Sequence, residues 1–326
     1  MSLETDEAAR PLPASEPPGG VLATVRFGGT APPSRAAGWL VARIPNRPLS
    51  SGPTEEVFPA AGSVVPIEVE GALAAADDRS VFVAIEENAA AGVAIDALTF
   101  DMYGRLLRGV TRAGYPHLLR VWNYVPHIHD TSSGIERYMV FCKGRSDAFA
   151  AQYGDAFPDR LPAASAVGCP GETLVVHGLA SREPGRHVEN PRQVPAFHYP
   201  ERYGPKSPSF ARGTVAPSAW HGALFVSGTA SIVGHESVFP GAPARQTAET
   251  MRNVEAVLDA AGVPGRGGTL GARLTRLRVY VRFPGQLDTI RDAILGSTRT
   301  AVPTAWIQAE ICREELLVEI EATART

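Results

Sequence analysis

Two carboxylates stand where a β-strand should be apolar. The stretch "ELLVEIEAT", Glu315 to Thr323, is built mainly of Leu, Val, Ile and Ala, yet carries Glu319 and Glu321 in its middle. Side chains in a strand alternate faces, so Leu317, Glu319 and Glu321 share one side while Val318, Ile320 and Ala322 share the other. If the second side is core, the glutamates look at water. If the first side lines a cleft, one of them can handle a proton, which requires a carboxyl whose pKa is raised by a dry wall and anionic neighbours. The alternation leaves both open.

Other chemistry-bearing stretches are weaker. "HIHD" puts His127 and His129 on one strand face with Asp130 beside them. A metal site needs a third ligand of fixed geometry, none is evident nearby, and no metal is expected. "FVSGTAS" lacks the G-x-S-x-G elbow of a serine nucleophile, so Gly228 and Thr229 are read as letting backbone and hydroxyl approach a ligand. "GRGGTLG", Gly265 to Gly271, is followed by no GK[ST] and reads as a flexible loop.

Composition narrows the partners. The 326 residues exceed one small core and imply two or three compact units. With 44% hydrophobic and 20% charged residues, the chain is of ordinary globular make-up. A net charge of −3 supplies no global field for nucleic acid or anionic lipid, so any anionic substrate must be held by a local Arg or Lys cluster. Cys142, Cys169 and Cys312 are odd in number and far apart, which fits a reducing cytoplasm. No apolar run approaches the roughly 20 residues needed to span a bilayer. The acidic, proline-rich start, "MSLETDEAARPLPASEPPGG", has the pattern of neither a signal nor a transit peptide and reads as a disordered tail over residues 1–20.

The elements that must position the glutamates follow from periodicity. Residues 21–79 alternate short apolar runs with Gly, Pro and Ser, predicting a strand-rich N-terminal unit. Then come a strand, "VFVAIEE", and a helix with Leu98, Met102, Leu106 and Val110 on one side that stops at Gly114. "LLRVWNYVPHI" is a strand, Ser133 opens a second helix through "ERYMVFCKGRSDAFAAQYG", and "ETLVVHGLA" is another strand. After a linker from Ser181 to about Pro195 the pattern repeats: strand "GALFVSGTASIV", helix "QTAETMRNVEAVLDAAGV", strand "LTRLRVYVRF", helix "QLDTIRDAILGS" and strand "ELLVEIEAT". At an offset of about 140 residues Pro162 matches Pro303 and His177 falls opposite Glu319. This predicts duplicated units, 80–190 and 191–326, in an α+β fold of mixed sheets with helices on one face.

Several of these stretches resemble known families. "RYGPKSP" leading to "LFVSGTASIVG", the "MRNVEAVLDAAG" helix and the terminal "VEIEA" resemble the Rid family, small trimeric enamine/imine deaminases of chorismate-mutase-like fold. "VENPRQVPAFHYPERYGPKSPSFARG", with "IERYMVFCKGRSDAF" upstream, is similar to the chorismatases, which release pyruvate from the enolpyruvyl ether of chorismate. The resemblance runs from about Val81 onward. It implies three Rid-like units in pseudo-threefold arrangement within a monomer, a site between the central and last units, chorismate as substrate, and no cofactor. It puts the proton-donating acid at Glu319; Glu321, on the same face, is read as a residue behind the site or exposed to solvent.

Chorismate brings two carboxylates, and guanidinium forks bind carboxylates best. Candidates are Arg137 and Arg145, eight residues apart on nearly one side of the second helix, and Arg202, Lys206 and Arg212 in the later loop. Their alternative is surface arginines lying along apolar neighbours. Tyr203 is carried over from the Rid pattern as a hydroxyl aimed at substrate. Where Rid deaminases hold the substrate carboxylate with an Arg, this chain has Ala305 and Trp306, so the deaminase reading loses its anchor. Cys312 resembles the 3-hydroxybenzoate-forming chorismatases and Ala230 the hydrolytic ones that yield a dihydrodiol. The reading favours 3-hydroxybenzoate, with the hydrolase, a deaminase and a non-catalytic metabolite-binding protein as alternatives.

Overall fold

The computed structural model describes residues 20–326 apart from 37, 50–52, 133, 221 and 266–267. The tail expected over the first 20 residues, all but the last, and Ser133, read as a helix opener, lie outside the described residues.

One strand pairing recurs three times. In the first sheet, β1 (Val21–Phe27), β2 (Ser34–Ala36), β3 (Trp39–Ile44) and β4 (Glu55–Pro59) lie in the order β2-β3-β1-β4. The second segment runs through β5 (Val65–Val69), β6 (Ala72–Ala76), β7 (Ser80–Asn88), helix α1 (Ile95–Arg112) and β8 (His117–Pro126). A two-residue-stranded hairpin, β9 (Thr131–Ser132) and β10 (Ile135–Glu136), then precedes α2 (Arg137–Tyr153), β11 (Ala163–Cys169) and β12 (Thr173–Ser181). Its sheet order is β11-β8-β12-β7-β6-β5. The third segment contains β13 (Arg186–Val188), β14 (Gly213–Val215), β15 (Ala223–Thr229), the hairpin β16 (Ile232–Val233) and β17 (Glu236–Ser237), and α3 (Pro243–Ala261). It closes with α4 (Leu270–Arg273), β18 (Leu274–Val281), α5 (Leu287–Thr298), β19 (Thr304–Gln308) and β20 (Val318–Arg325), in the order β13-β14-β15-β20-β18-β19. The triplets β3-β1-β4, β11-β8-β12 and β19-β18-β20 each hold the middle strand between one parallel and one antiparallel neighbour. The mixed α+β architecture anticipated from the pattern is the one observed.

Each helix buries the face its periodicity marks. Met102, Leu106 and Val110 of α1 are fully buried with Phe141 and Phe149 of α2 against the outer face of the second sheet. Met251, Val254, Val257 and Leu258 of α3 do the same with Ile290 and Ile294 of α5 against the third sheet. α3 ends where Gly262 takes the left-handed conformation (φ 78°), its N–H returning to the carbonyls of Asp259 and Leu258. The inner faces of the three sheets meet in one further core: Leu22, Leu40 and Ile44 from the first, Phe82, Trp122 and Val175 from the second, Phe225, Tyr280 and Ile307 from the third. Buried Asn46 ties the ring together by donating to the carbonyls of Gly168 (2.8 Å) and Gln308 (3.0 Å), at the ends of β11 and β19.

Two details depart from the sequence reading. β6 hydrogen-bonds onto β7 and β5 onto β6, so the second sheet takes in strands that the reading counted with the N-terminal unit, residues 21–79. β8 stops at Pro126, which has no N–H to continue a ladder, and His127 turns the chain in the left-handed region (φ 53°). His127 and His129 therefore do not share a strand face.

The crossing of α1 and α2 is tight. A Cβ at Gly144 would lie 2.9 Å from both Cα and the carbonyl carbon of Asp96, which as backbone cannot swing aside. Gly144→Ala should lower stability by about 1–3 kcal/mol despite the better helix propensity of alanine, read as a lower urea midpoint. An unchanged or raised midpoint would show that the helices have room to spare.

Candidate active site

Glu319 and Glu321 both point inward from β20, the strand between β15 and β18, and are only 3% and 7% exposed. Neither looks at water, so of the two places expected for Glu321 the solvent-exposed one is corrected: it is buried and bonded to protein groups. Its Oε1 accepts from the hydroxyls of Ser165 (2.6 Å) and Tyr280 (3.0 Å), and its Oε2 from the Trp122 indole N–H (2.9 Å). Arg120 (3.1 Å) and Arg278 (3.5 Å) pair with the same carboxylate. Arg278 in turn forks onto Glu56 of β4 and donates to Tyr124 Oη (2.9 Å) and Tyr280 Oη (3.2 Å). All three sheets thus contribute to one buried polar chain.

Glu319 differs in kind. Its Oε1 is buried without any hydrogen-bond partner among the described residues. Burial, and then the negative charge of Glu321, push its carboxyl up to about 8, with Arg120 only partly offsetting them. Burial would raise Glu321 too, but the guanidiniums of Arg278 and Arg120 and the hydrogen bonds of Ser165 and Trp122 overcome it and bring that carboxyl down to about 2. Adjacent carboxyls with opposite environments mark one as a proton store and the other as a fixed charge. Gly228 makes this geometry possible, because a side chain there would overlap the Glu319 carboxyl. Its N–H donates to Ser165 Oγ (3.1 Å), linking β15 to β11 across the joint between the second and third sheets.

A cationic, aromatic wall rises from the same joint. Arg145 of α2 is 1% exposed, and among the described residues it has no carboxylate partner. Its neighbours Tyr103, Tyr138 and Cys142 are kept neutral by burial, which raises all three pKa values. An uncompensated buried guanidinium costs several kcal/mol, so the position is set for an anion. The Phe210 ring lies within 6.0 Å of Arg145 and 5.1 Å of Arg212, and Arg212 also lies over Tyr199 (5.6 Å) and donates to its hydroxyl (2.8 Å). Tyr199 packs on Tyr203 (5.4 Å), and Arg313 sits over Tyr203 at 4.1 Å. Cys312, next to Arg313, completes the link. Burial holds its thiol neutral, and proximity to Glu319 and Cys142 pushes the same way against Arg313.

The other expected residues fall elsewhere. Arg137 donates to the Ala89 carbonyl and so ties the loop before α1. Arg202 is exposed and paired with Glu236 (2.9 Å), and Lys206 is exposed. The Thr229 hydroxyl donates to the Ser227 carbonyl (2.8 Å) rather than into the cleft, and Ala230 is buried in the core shared by the sheets. His129 pairs with Glu136 (2.7 Å), and the described residues hold no group of three or more His, Cys, Asp or Glu arranged so that it could hold a metal ion. Sequence reasoning missed Arg120, Ser165, Arg278 and Arg313. The first and third carry the same signal as the glutamates, a charge inside an apolar strand: Arg120 in "LLRVWNY" and Arg278 in "LTRLRVYV".

A family model described as chorismatase FkbO/Hyg5-like, N-terminal, matches residues 56–180. A protein of Streptomyces rapamycinicus named chorismatase is 38% identical over 240 residues, covering 72% of this chain and 69% of that protein. The chain belongs to the chorismatase family. A protein of Streptomyces hygroscopicus named 3-hydroxybenzoate synthase is 40% identical over 217 residues, 64% of this chain; the match spans 63% of the length of that relative. The crystal structure of a chorismatase superposes with a TM-score of 0.84 at 31% identity, covering 97% of this chain and 96% of that one. No helix of the described residues is long and apolar enough to cross a membrane.

The raised Glu319 carboxyl has a measurable signature in stability. The folded state keeps its proton up to about 8 while the unfolded chain releases it near 4.5, so this contribution is full below 4.5 and is lost as pH rises through 8. Glu319→Gln removes the slope. Its stability relative to the parent should therefore grow between pH 4.5 and 8 and level off above, in denaturant titrations across that range. A difference flat with pH would mean that Glu319 ionises normally.

Proposed function

We propose that the chain is a chorismatase that cleaves the enolpyruvyl ether of chorismate to pyruvate and 3-hydroxybenzoate, with Glu319 as general acid. The observation that carries this reading is the buried, unpartnered Glu319 carboxyl, raised to about 8 beside the strongly lowered Glu321, with Cys312 and Cys142 linking it to an Arg145 that has no carboxylate partner among the described residues. An enol ether breaks once its methylene carbon takes a proton. Glu319 gives that proton and becomes a carboxylate; the methylene becomes a methyl group, and the ether carbon an oxocarbenium ion. The ether oxygen then leaves the ring as the carbonyl oxygen of pyruvate, the substrate's own ring hydroxyl takes over the vacated carbon, and the proton that the ring gives up on becoming aromatic returns to Glu319.

Product identity turns on the nucleophile. Pyruvate and hydroxybenzoate together contain the atoms of chorismate and nothing more, whereas a dihydrodiol requires one added water. A neutral, half-buried Cys312 thiol beside Glu319 and an aromatic wall favour the water-free balance. The relative named 3-hydroxybenzoate synthase supports the same choice. Arg145, Arg212 and Arg313 are the cations for the two substrate carboxylates, with Tyr203 between them. The deaminase alternative is disfavoured because Ala305, at the position of its anchoring arginine, is buried in the shared core. The protein acts in the cytoplasm on this reading.

A lactate-dehydrogenase-coupled assay should detect pyruvate from chorismate, with chromatography resolving 3-hydroxybenzoate as the aromatic product. Activity should fall as pH rises through about 8, where Glu319 loses its proton. Glu319→Gln should cut turnover roughly 10²–10⁴-fold while still binding an unreactive chorismate analogue. Absence of pyruvate sinks the reading, and a dihydrodiol as sole product sinks the water-free route.

Three sheets closing a ring within one chain use internally the surfaces that would trimerise separate units. The protein should therefore run as a monomer of 34.6 kDa in light scattering, and a stable trimer would contradict that arrangement.

A further inference from the structure

A second cavity, of about 440 Å³, opens where β4, the β6–β7 turn and the ends of β15, β18 and β20 come together. It shares no lining residue with Glu319, Arg145 or their wall. Its apolar part is formed by Phe58, Trp220 and Phe225, the last two meeting edge to face at 5.9 Å. The Trp220 ring is fixed by its N–H, which donates to Ser80 Oγ at 2.7 Å. Three guanidiniums line the same space, from Arg79, Arg276 and Arg325. Two of them, Arg79 and Arg325, have no ion pair among the described residues, and Arg276 has only a long contact to Glu56 (3.6 Å).

The one acidic residue in the lining is already spent. Asp77 accepts from the backbone N–H groups of Ala61 (2.7 Å), Arg79 (2.8 Å) and Ser80 (2.7 Å), and so serves the turn rather than the arginines. A volume of this size suits a small organic molecule, and aromatic walls with surplus guanidinium set its chemistry. We propose that this cavity is a second binding site, separate from the catalytic joint, for an aromatic monocarboxylate whose ring lies among Phe58, Trp220 and Phe225 and whose carboxylate meets Arg276. A neutral ring would leave the guanidiniums unanswered, and a dianion or phosphate would waste the aromatic wall.

The probes are benzoate and its uncharged counterpart benzamide, titrated calorimetrically into the full chain. The Arg145→Ala protein serves as background, so that capture in the catalytic joint does not mask the second site. Benzoate should bind that protein and benzamide at least about tenfold more weakly, the scale of one lost charge-assisted pair. Adding Arg276→Ala should weaken benzoate by a similar factor. Trp220→Leu, at a half-buried position, should do the same and stands in if the arginine variant fails to fold. Equal binding of the two probes overturns the proposal. So does benzoate binding that Arg145→Ala abolishes, or that neither cavity variant alters.

Discussion

The buried ionisation of Glu321 is the constraint around which the molecule is arranged. A carboxylate at this depth needs nearly every lone pair answered, and the answers come from Arg120, Trp122 and Ser165 of the second sheet and Tyr280 and Arg278 of the third. Arg278 is itself too buried to stand with one partner, and Glu56 of the first sheet supplies the rest. None of these strands can shift without stranding a charge. The same arrangement leaves Glu319 beside a negative neighbour, with an oxygen that none of the described residues satisfies. Stability and the proposed chemistry therefore draw on one set of contacts.

The apolar frame explains why that set can exist. Helices cover the outer faces of two sheets, and the inner faces pool their side chains into a single core. Polar groups placed there are shut off from solvent by construction, so their electrostatic effects are large. Arg145 occupies the corresponding place on the helix layer: it is buried among phenols, a thiol and phenyl rings, with no anionic partner among the described residues. A molecule carrying carboxylates would supply what the joint lacks on that side.

Much of this was legible in the chain. The spacing of Met102, Leu106 and Val110 and that of Met251, Val254 and Leu258 identify helices that the structure contains, and the alternation around Glu319 correctly puts both glutamates on one side. The meaning of that side was not legible, because Glu321 finds Trp122 and Ser165 at separations of 199 and 156 residues, and Arg278 finds Glu56 at 222. Local pattern carries no information across such distances. The exposed alternative for Glu321 was left standing for this reason, and Arg120 was omitted for the same one. The hairpin β9–β10 was missed for a different reason: two-residue strands are too short to display a period.

The ring of three sheets has a consequence for how such a protein can vary. In an assembly of identical subunits every substitution is made three times around the axis, and each inward face must suit all three joints at once. Here β4, β12 and β20 hold equivalent places, yet turn Glu56, His177 and Glu319 inward. His177 is desolvated to about 3 and so is neutral, Glu56 is an ion-pair partner, and Glu319 keeps its proton. Joining the units in one chain, clasped by Asn46, frees each position to be inherited separately, so one joint can specialise while its two siblings become scaffolding.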